Sequence, residues 1–186
     1  MNKCLIAPIL IALVAGFAAS APAISISGTL TGDSTLTPTG TPGIFTQNFT
    51  GAGDDTTFGS FTPSSTSTID FSKPPAIGIS SGMFSEVFTQ GTLFGTSSGD
   101  GTASGTGTAT VTVDYVFTGG TGLFTGATGE ATVTGNIATT SPTTESFSGT
   151  YVGTLNVPEA TTTLALLAPT VLGLFLARRR TNLRTA

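Results

Sequence analysis

The side chains of this chain that could carry out chemistry are almost all carboxylates. The sequence has no histidine, and its single cysteine is Cys4. A pair of carboxyl groups can still act as acid and base in glycoside hydrolysis. Glu86 with Glu130 is the candidate pair and Asp114 a further candidate, but their positions in the sequence do not place them together. We expect solvated carboxylates instead, and predict no enzymatic activity and no cofactor.

Other types of site find less support in the sequence. Lys73 is the sole lysine between residues 24 and 156, and Pro74-Pro75 follows it, which indicates a turn. Serine and threonine are too abundant to single out one nucleophile. The run Gly119-Gly120-Thr121-Gly122 lacks the Lys-Ser/Thr ending of a phosphate-binding P-loop and opens no predicted helix.

Four aspartates in glycine-rich stretches, Asp33, Asp54, Asp55 and Asp100, raise the question of calcium. Carboxylate and carbonyl oxygens are the ligands that calcium prefers, but none of these residues has the spacing of an EF-hand loop. We expect them to form turns, and we predict no metal site.

Targeting segments are predicted at both ends of the chain. Residues 1–23 read as a secretory signal: Lys3 precedes an apolar run, and Ala21-Pro22-Ala23 provides the small residues of a cleavage site. We predict cleavage after Ala23, with an uncleaved anchor as the alternative. Cleavage removes Cys4, so the exported domain contains neither a thiol nor a disulfide.

The C-terminal segment, residues 157–186, has three parts. The sequence Val157-Pro158-Glu159-Ala160 precedes an uncharged run, 161–177, that as a helix would be roughly 25 Å long. The arginine-rich end, 178–186, contains Arg178, Arg179 and Arg180. This order predicts a short transmembrane helix with the arginines in the cytoplasm and the rest of the protein outside. The alternative is a buried helix of a soluble domain.

This segment resembles the sorting signal of PEP-CTERM proteins, with Ala160 in place of the second proline of the motif. The resemblance implies that an exosortase-like enzyme of the inner membrane recognises this C-terminal segment and cleaves near the motif at residues 157–160. It implies anchoring in the inner membrane first, then transfer to the cell surface or secretion. Exopolysaccharide is a possible partner, since bacteria with this system often produce it.

The domain between these segments, residues 24–156, is acidic. It contains nine of the ten acidic residues of the chain but only one of the six basic residues, a net charge of −8. A surface of that charge repels polyanions, so we exclude nucleic acid as a partner.

Apolar residues in this domain alternate with polar ones at the period of a β-strand. Ala109, Val111, Val113, Tyr115 and Phe117 alternate with threonines and Asp114; further alternating sets are Ala131, Val133 and Ile137, then Phe147, Tyr151 and Leu155, and then Ile24, Ile26 and Leu30. Further strands are predicted at 44–49, 57–62, 68–71, 76–80 and 83–93. Residues 31–43 and 97–107 are expected to be loops because apolar residues are few there. Disorder of the whole domain is the alternative.

The run from Phe117 to Gly129 contains Gly119-Gly120-Thr121-Gly122-Leu123-Phe124, in which Leu123 and Phe124 could plug a core. It resembles the glycine-rich motif of small secreted barrels of the allene oxide cyclase and dirigent type. That resemblance implies an antiparallel barrel of about eight strands, whereas the strand pattern alone also permits a sandwich.

The predicted protein is therefore a mainly β, single-domain barrel or sandwich, flanked by a signal helix and a transmembrane helix. We expect an exported protein of the bacterial envelope or extracellular matrix with a structural or adhesive role. A barrel that binds a small apolar ligand is the alternative, and a carboxylate-based glycosidase is a remote one.

Overall fold

A computed structural model describes residues 22–158, and these form a closed antiparallel barrel of eight strands. The strands are β1 (Ala23–Pro38), β2 (Ile44–Asp55), β3 (Gly59–Asp70), β4 (Ala76–Phe88), β5 (Gly91–Gly105), β6 (Thr108–Gly120), β7 (Thr128–Ser141) and β8 (Thr144–Asn156). A 3-10 turn, Gly122–Phe124, lies between β6 and β7. The mainly β, antiparallel prediction is confirmed, and the architecture is a barrel rather than a sandwich.

The barrel closes because β1 pairs with β2 on one side and with β8 on the other. Each remaining strand pairs with its neighbours in sequence, so the order around the barrel follows the chain. The last ladder places Ala23 directly opposite Asn156. A closed barrel has no unpaired edge strand. It therefore avoids the pairing of exposed edges between molecules, which is a common route to aggregation of β proteins.

The predicted alternation gives the two faces of the wall. Val111, Tyr115 and Phe117 of β6 are buried inside the barrel, whereas Thr112 and Asp114 between them are exposed. In β7 and β8, too, the predicted apolar sets lie inside and the intervening threonines face outward. The period-two reading of these strands is therefore confirmed.

The two predicted loops at 31–43 and 97–107 were wrong for most of their length. Residues up to Pro38 belong to β1, and residues up to Gly105 belong to β5. Their inward positions carry small residues such as Gly32, Gly99 and Gly101, so the apolar signal is weak. Each segment nevertheless has a neighbour on both sides, and backbone pairing alone keeps it extended.

Three predicted strand boundaries also need correction. The predicted strands 57–62 and 68–71 fall largely within β3, a single strand of 12 residues. The predicted strand 83–93 instead includes the turn between β4 and β5. Ser64, Ser65, Thr66 and Ser67 interrupt the apolar pattern in the middle of β3, yet the strand continues through them because the ladder to β2 does.

The two ends of the barrel differ. At the closed end lie Pro22, Pro158 and the connections 56–58, 89–90 and 121–127; at the open end lie the connections 39–43, 71–75, 106–107 and 142–143. A large apolar cluster fills the closed-end half, and Phe117, Phe124, Leu93 and Leu155 are its most deeply buried large side chains. The open-end half holds a smaller cluster of aliphatic side chains.

The glycine-rich connection after β6 places Phe124 across the closed end. The Phe124 ring is fully buried, and its centroid lies 5.0 Å from that of Phe58 and 5.1 Å from that of Phe88. Leu123 was expected to join this plug, but half of its surface is exposed. The 3-10 turn rotates adjacent side chains apart, so only one of the two points into the core.

The predicted signal helix lies outside the described residues except for its last two positions, and the predicted transmembrane helix at 161–177 lies wholly outside them. Within residues 22–158, no helix has the length and apolar character to span a membrane.

Candidate functional site

The open-end half of the barrel contains a group of polar side chains that point inward. Ser34, Gln47, Ser67 and Glu145 come from four different strands, and we call them the polar quartet. Ser34, Ser67 and Glu145 are at most 6% exposed. Burial of four polar groups in a barrel of this size is costly unless they bond to one another or to a ligand.

Hydrogen bonds connect the whole quartet. Gln47 Nε2 donates to Ser34 Oγ (3.2 Å) and to Glu145 Oε2 (3.3 Å). Ser34 Oγ donates to the same carboxylate oxygen at 3.3 Å, and Ser67 Oγ donates to Gln47 Oε1 at 3.2 Å. Glu145 Oε1 accepts no hydrogen bond from any residue between 22 and 158. One carboxylate oxygen is thus held in place, and the other remains available.

The quartet separates two neighbouring cavities. The outer cavity, at the open end, has a volume of about 170 Å³, and its walls include Gln47, Glu145 and the aliphatic side chains Ile69, Ile77 and Ile79. The inner cavity is about 60 Å³ and is lined by Ser34, Ser67 and Tyr115, among others. Gln47, Ile79 and Ile137 line both, so the two are adjacent.

Burial raises the pKa of Glu145, while the hydrogen bonds from Ser34 and Gln47 lower it and so limit the shift. The carboxyl group therefore lies in a medium less polar than water but keeps donors for its charged form. Such a group gains most from a cationic or hydrogen-donating partner.

A second polar group lies among the aromatic rings of the closed-end half. Asp55 Oδ1 accepts hydrogen bonds from the backbone N–H groups of Thr57 (2.7 Å) and Phe58 (2.8 Å), and its Oδ2 accepts one from the Tyr151 hydroxyl (2.5 Å). Burial and this hydrogen bond raise the pKa of Tyr151. Asp55 therefore caps the turn between β2 and β3 and ties it to β8.

Glu86 belongs to the same region but accepts no side-chain hydrogen bond from the described part of the chain, and it is 4% exposed. Burial, and secondarily the negative charge of Asp55, raise its pKa to about 8. The group is therefore protonated at neutral pH. A buried neutral carboxylic acid can act as a catalytic acid. Glu86, however, lies between Phe84 and Phe88 on the inner face of β4 and lines neither of the two cavities.

The structure does not bring the three candidate catalytic carboxylates together. Glu86 points into the barrel, whereas Glu130 and Asp114 are exposed on the outer face of β7 and β6. The Asp114 carboxylate accepts a hydrogen bond from Thr132 Oγ1 at 2.9 Å. The barrel wall thus separates the predicted pair, and the glycosidase alternative loses its geometric basis.

The four aspartates considered for calcium are also apart. Asp33 and Asp100 lie in strands rather than loops, because the loops expected there do not form. Asp54 faces outward and accepts a hydrogen bond from Ser60, while its neighbour Asp55 faces inward. Across residues 22–158, no group of three or more carboxylates is close enough to hold a metal ion.

Sequence reasoning missed the polar quartet, although a signal for it was present. The alternation that places Phe147, Tyr151 and Leu155 inside also places Glu145 inside, two residues earlier. The same rule places Gln47 two residues before Phe49. A charged or amide side chain on the same strand face as buried aromatic residues is the feature that would have identified both.

The outer face of the barrel carries regular rows of hydroxyl groups. One row crosses four adjacent strands, and a parallel row follows it one pleat away; we call the two together the threonine face. Its residues are Thr29, Thr150, Thr134 and Thr112 in the first row and Thr31, Ser148, Asn136 and Thr110 in the second. All eight side chains are exposed, and none is charged.

Two residues of the predicted sorting motif fall within the described part of the chain. Val157 packs partly against the closed-end core, and Pro158 is exposed. Glu159 and Ala160 lie outside the described residues, as do Arg178, Arg179 and Arg180. The motif therefore begins immediately where the barrel ends.

The polar quartet, the cavities beside it and the threonine face are the features from which a function can be inferred. The resemblances to PEP-CTERM signals and to barrels of the allene oxide cyclase type stay predictions. No family model, curated protein or solved structure matches this chain.

Proposed function

We propose that this chain is an exported protein of the bacterial cell envelope or extracellular matrix, in which the barrel has a structural or adhesive role. The observation that carries this proposal is the threonine face. Its two rows present uncharged hydroxyl and amide groups across β1, β8, β7 and β6, and the only hydrogen bond between its side chains joins Thr110 to Asn136.

Such a face suits a neutral, hydroxyl-rich polymer. Each threonine hydroxyl can donate and accept a hydrogen bond. Strands lie about 4.8 Å apart and side chains on one face recur about every 7 Å along a strand, so the groups form a regular array. Individual contacts of this kind are weak, but a repeating polymer can engage many of them at once. We therefore take neutral exopolysaccharide as the partner.

The proposal also includes the route by which the protein reaches the cell envelope. The signal at residues 1–23 would export the chain, the helix at 161–177 would hold it in the inner membrane, and an exosortase-like enzyme would cut near the motif at residues 157–160. Pro158, two residues after the end of β8, is exposed, which supports access to this motif at the surface of the barrel.

Mass spectrometry of envelope and culture-fluid fractions tests the sorting. We expect a mature chain that begins near Ile24 and ends near Pro158. Full-length protein with Arg178 to Arg180 in the medium, or folded protein in the cytosol, would contradict it.

Co-sedimentation with neutral exopolysaccharide tests the adhesive role. The triple variant T29V/T134V/T150V removes three hydroxyls and keeps the β-branched shape, so we expect it to bind at least several-fold more weakly. The control T50V/T62V/T96V changes exposed threonines outside this face and should bind as the wild type does. Equal loss in both variants would show that the face has no special role.

A second candidate function is the binding of a small apolar ligand inside the barrel. The specific observation that favours it is the 170 Å³ cavity at the open end, which the aliphatic side chains leave unfilled.

A further inference from the structure

We propose that the open end of the barrel binds a small apolar amine, with its ammonium group on Glu145 Oε1 and its apolar part against the isoleucines of the outer cavity. This inference rests on the second candidate function and names the class of ligand. It depends on the shape of the cavity, on the available carboxylate oxygen and on the charge of the barrel.

The size of the cavity sets the size of the ligand. An apolar cavity of about 150 Å³ is known to hold one benzene molecule. The outer cavity, at about 170 Å³, accommodates one ring or a short branched chain but not a lipid or an oligosaccharide. Ile69, Ile77 and Ile79 form an apolar wall for such a group.

The polar end of the ligand is set by Glu145. Its Oε2 is already engaged by Ser34 and Gln47, so these side chains fix the carboxylate in position. Its Oε1 has no partner among residues 22–158, and the side chain lines the outer cavity. A carboxylate oxygen can only accept, so it selects a donor over a second acceptor.

The charge of the barrel favours a cation over a neutral donor. Residues 24–156 carry a net charge of −8, and Lys73 is their sole basic residue. Lys73 lies in the β3–β4 connection at the same end of the barrel, but its side chain is exposed and its charge is screened by solvent. An ammonium group in the cavity would be the cation nearest to the Glu145 carboxylate. Because Glu145 is buried, this ion pair would be stronger than one at the surface.

Isothermal titration of the purified barrel with benzylamine, toluene and benzoate tests the inference. These probes share one ring and differ in carrying a cation, no charge or an anion. We expect benzylamine to bind at least tenfold more tightly than toluene and benzoate not to bind. Benzylamine no tighter than toluene would overturn the amine assignment while leaving an apolar-ligand site, and no binding of any probe would overturn both.

Two variants locate the site. E145Q keeps the shape of the side chain but loses its charge, so it should bind benzylamine at least tenfold more weakly and toluene as before. E130Q removes an exposed carboxylate on the outer wall and is the matched control, with unchanged binding expected. I77W fills the outer cavity from β4, a strand that contributes no residue to the quartet, and should abolish binding of both probes. Unchanged benzylamine affinity in folded E145Q or I77W would place the ligand elsewhere and overturn the inference.

Discussion

Tyr151 donates its phenolic hydrogen to Oδ2 of Asp55 at 2.5 Å, and this contact joins β8 to the end of β2 across 96 positions of sequence. The other oxygen of Asp55 caps the turn at residues 57–58. One buried carboxylate thus connects a turn, a strand end and an aromatic ring of the core. It is a polar contact between residues far apart in sequence within the closed-end half of the barrel.

Removing this hydroxyl should destabilise the fold. In Y151F the buried Asp55 loses one donor, and a loss of about 1–3 kcal/mol in the free energy of unfolding is expected. Tyr115 is the matched control, because its ring stacks on Phe84 and its hydroxyl bonds to no side chain in the described range. Urea unfolding should show little change for Y115F. Similar values for the two variants would show that the Asp55 contact adds nothing.

Stability should fall as the pH rises from about 4.5 to about 8. The Glu86 carboxyl keeps its proton in the fold up to pH about 8, whereas in the unfolded chain it ionises near 4.5. The unfolded state therefore loses this proton at a lower pH than the folded state does. The difference lowers the free energy of unfolding by on the order of 5 kcal/mol across this range. E86Q is neutral at every pH and should be more stable than the wild type at pH 8.

Chemical denaturation at a series of pH values measures this effect. Part of the slope should persist in E86Q, because burial also raises the pKa of Glu145. E130Q, which removes an exposed carboxylate from the outer wall, is the matched control for the loss of one carboxyl group. An E86Q profile that follows the wild type throughout would show that Glu86 is solvated in the fold.

The plug at the closed end should contribute strongly to stability. F124A removes a fully buried ring in contact with Phe58 and Phe88, and a cost of about 3–5 kcal/mol is expected from lost burial and the resulting cavity. L123A, one residue earlier and half exposed, should change stability by about 0.5 kcal/mol or less. Thermal unfolding of both variants tests the pair, and a larger loss for L123A would reverse the assignment of the plug.

Glycine at position 53 should be required by the aromatic core. A Cβ atom there would lie 2.2 Å from the Phe61 ring, so G53A forces the ring to move at a cost of about 1–3 kcal/mol. Adding F61L should recover part of that cost. At Gly78 the same Cβ would meet nothing nearer than 3.5 Å, so G78A should be tolerated. Equal melting temperatures for G53A and G78A would contradict the packing.

The fold class could be predicted from the sequence because the strongest strands alternate cleanly. Ala109 to Phe117 gives the period directly, and the apolar sets of β7 and β8 repeat the same spacing. The segments that failed, such as residues 97–105, place serine and glycine at inward positions. A pattern of side chains cannot reveal a strand whose stability comes from backbone pairing to both neighbours.

The candidate site was less accessible to prediction. Ser34, Gln47, Ser67 and Glu145 lie on four strands and meet only because the barrel closes. Position along each strand indicates which face they occupy, but their height relative to one another depends on the register of three ladders. No local spacing in the sequence encodes that register.

Ala23 lies opposite Asn156, so the first and last strands begin and end at the same end of the barrel. Pro22 and Pro158, the ends of the described residues, lie at the pole of the aromatic plug, so a support attached beyond either would sit beneath that plug. The mouth lined by Glu145 lies at the opposite pole and would face the surrounding medium. For a barrel anchored at the plug, as the proposed sorting requires, the outer cavity would lie at the pole farthest from the anchor and would stay accessible among neighbouring copies.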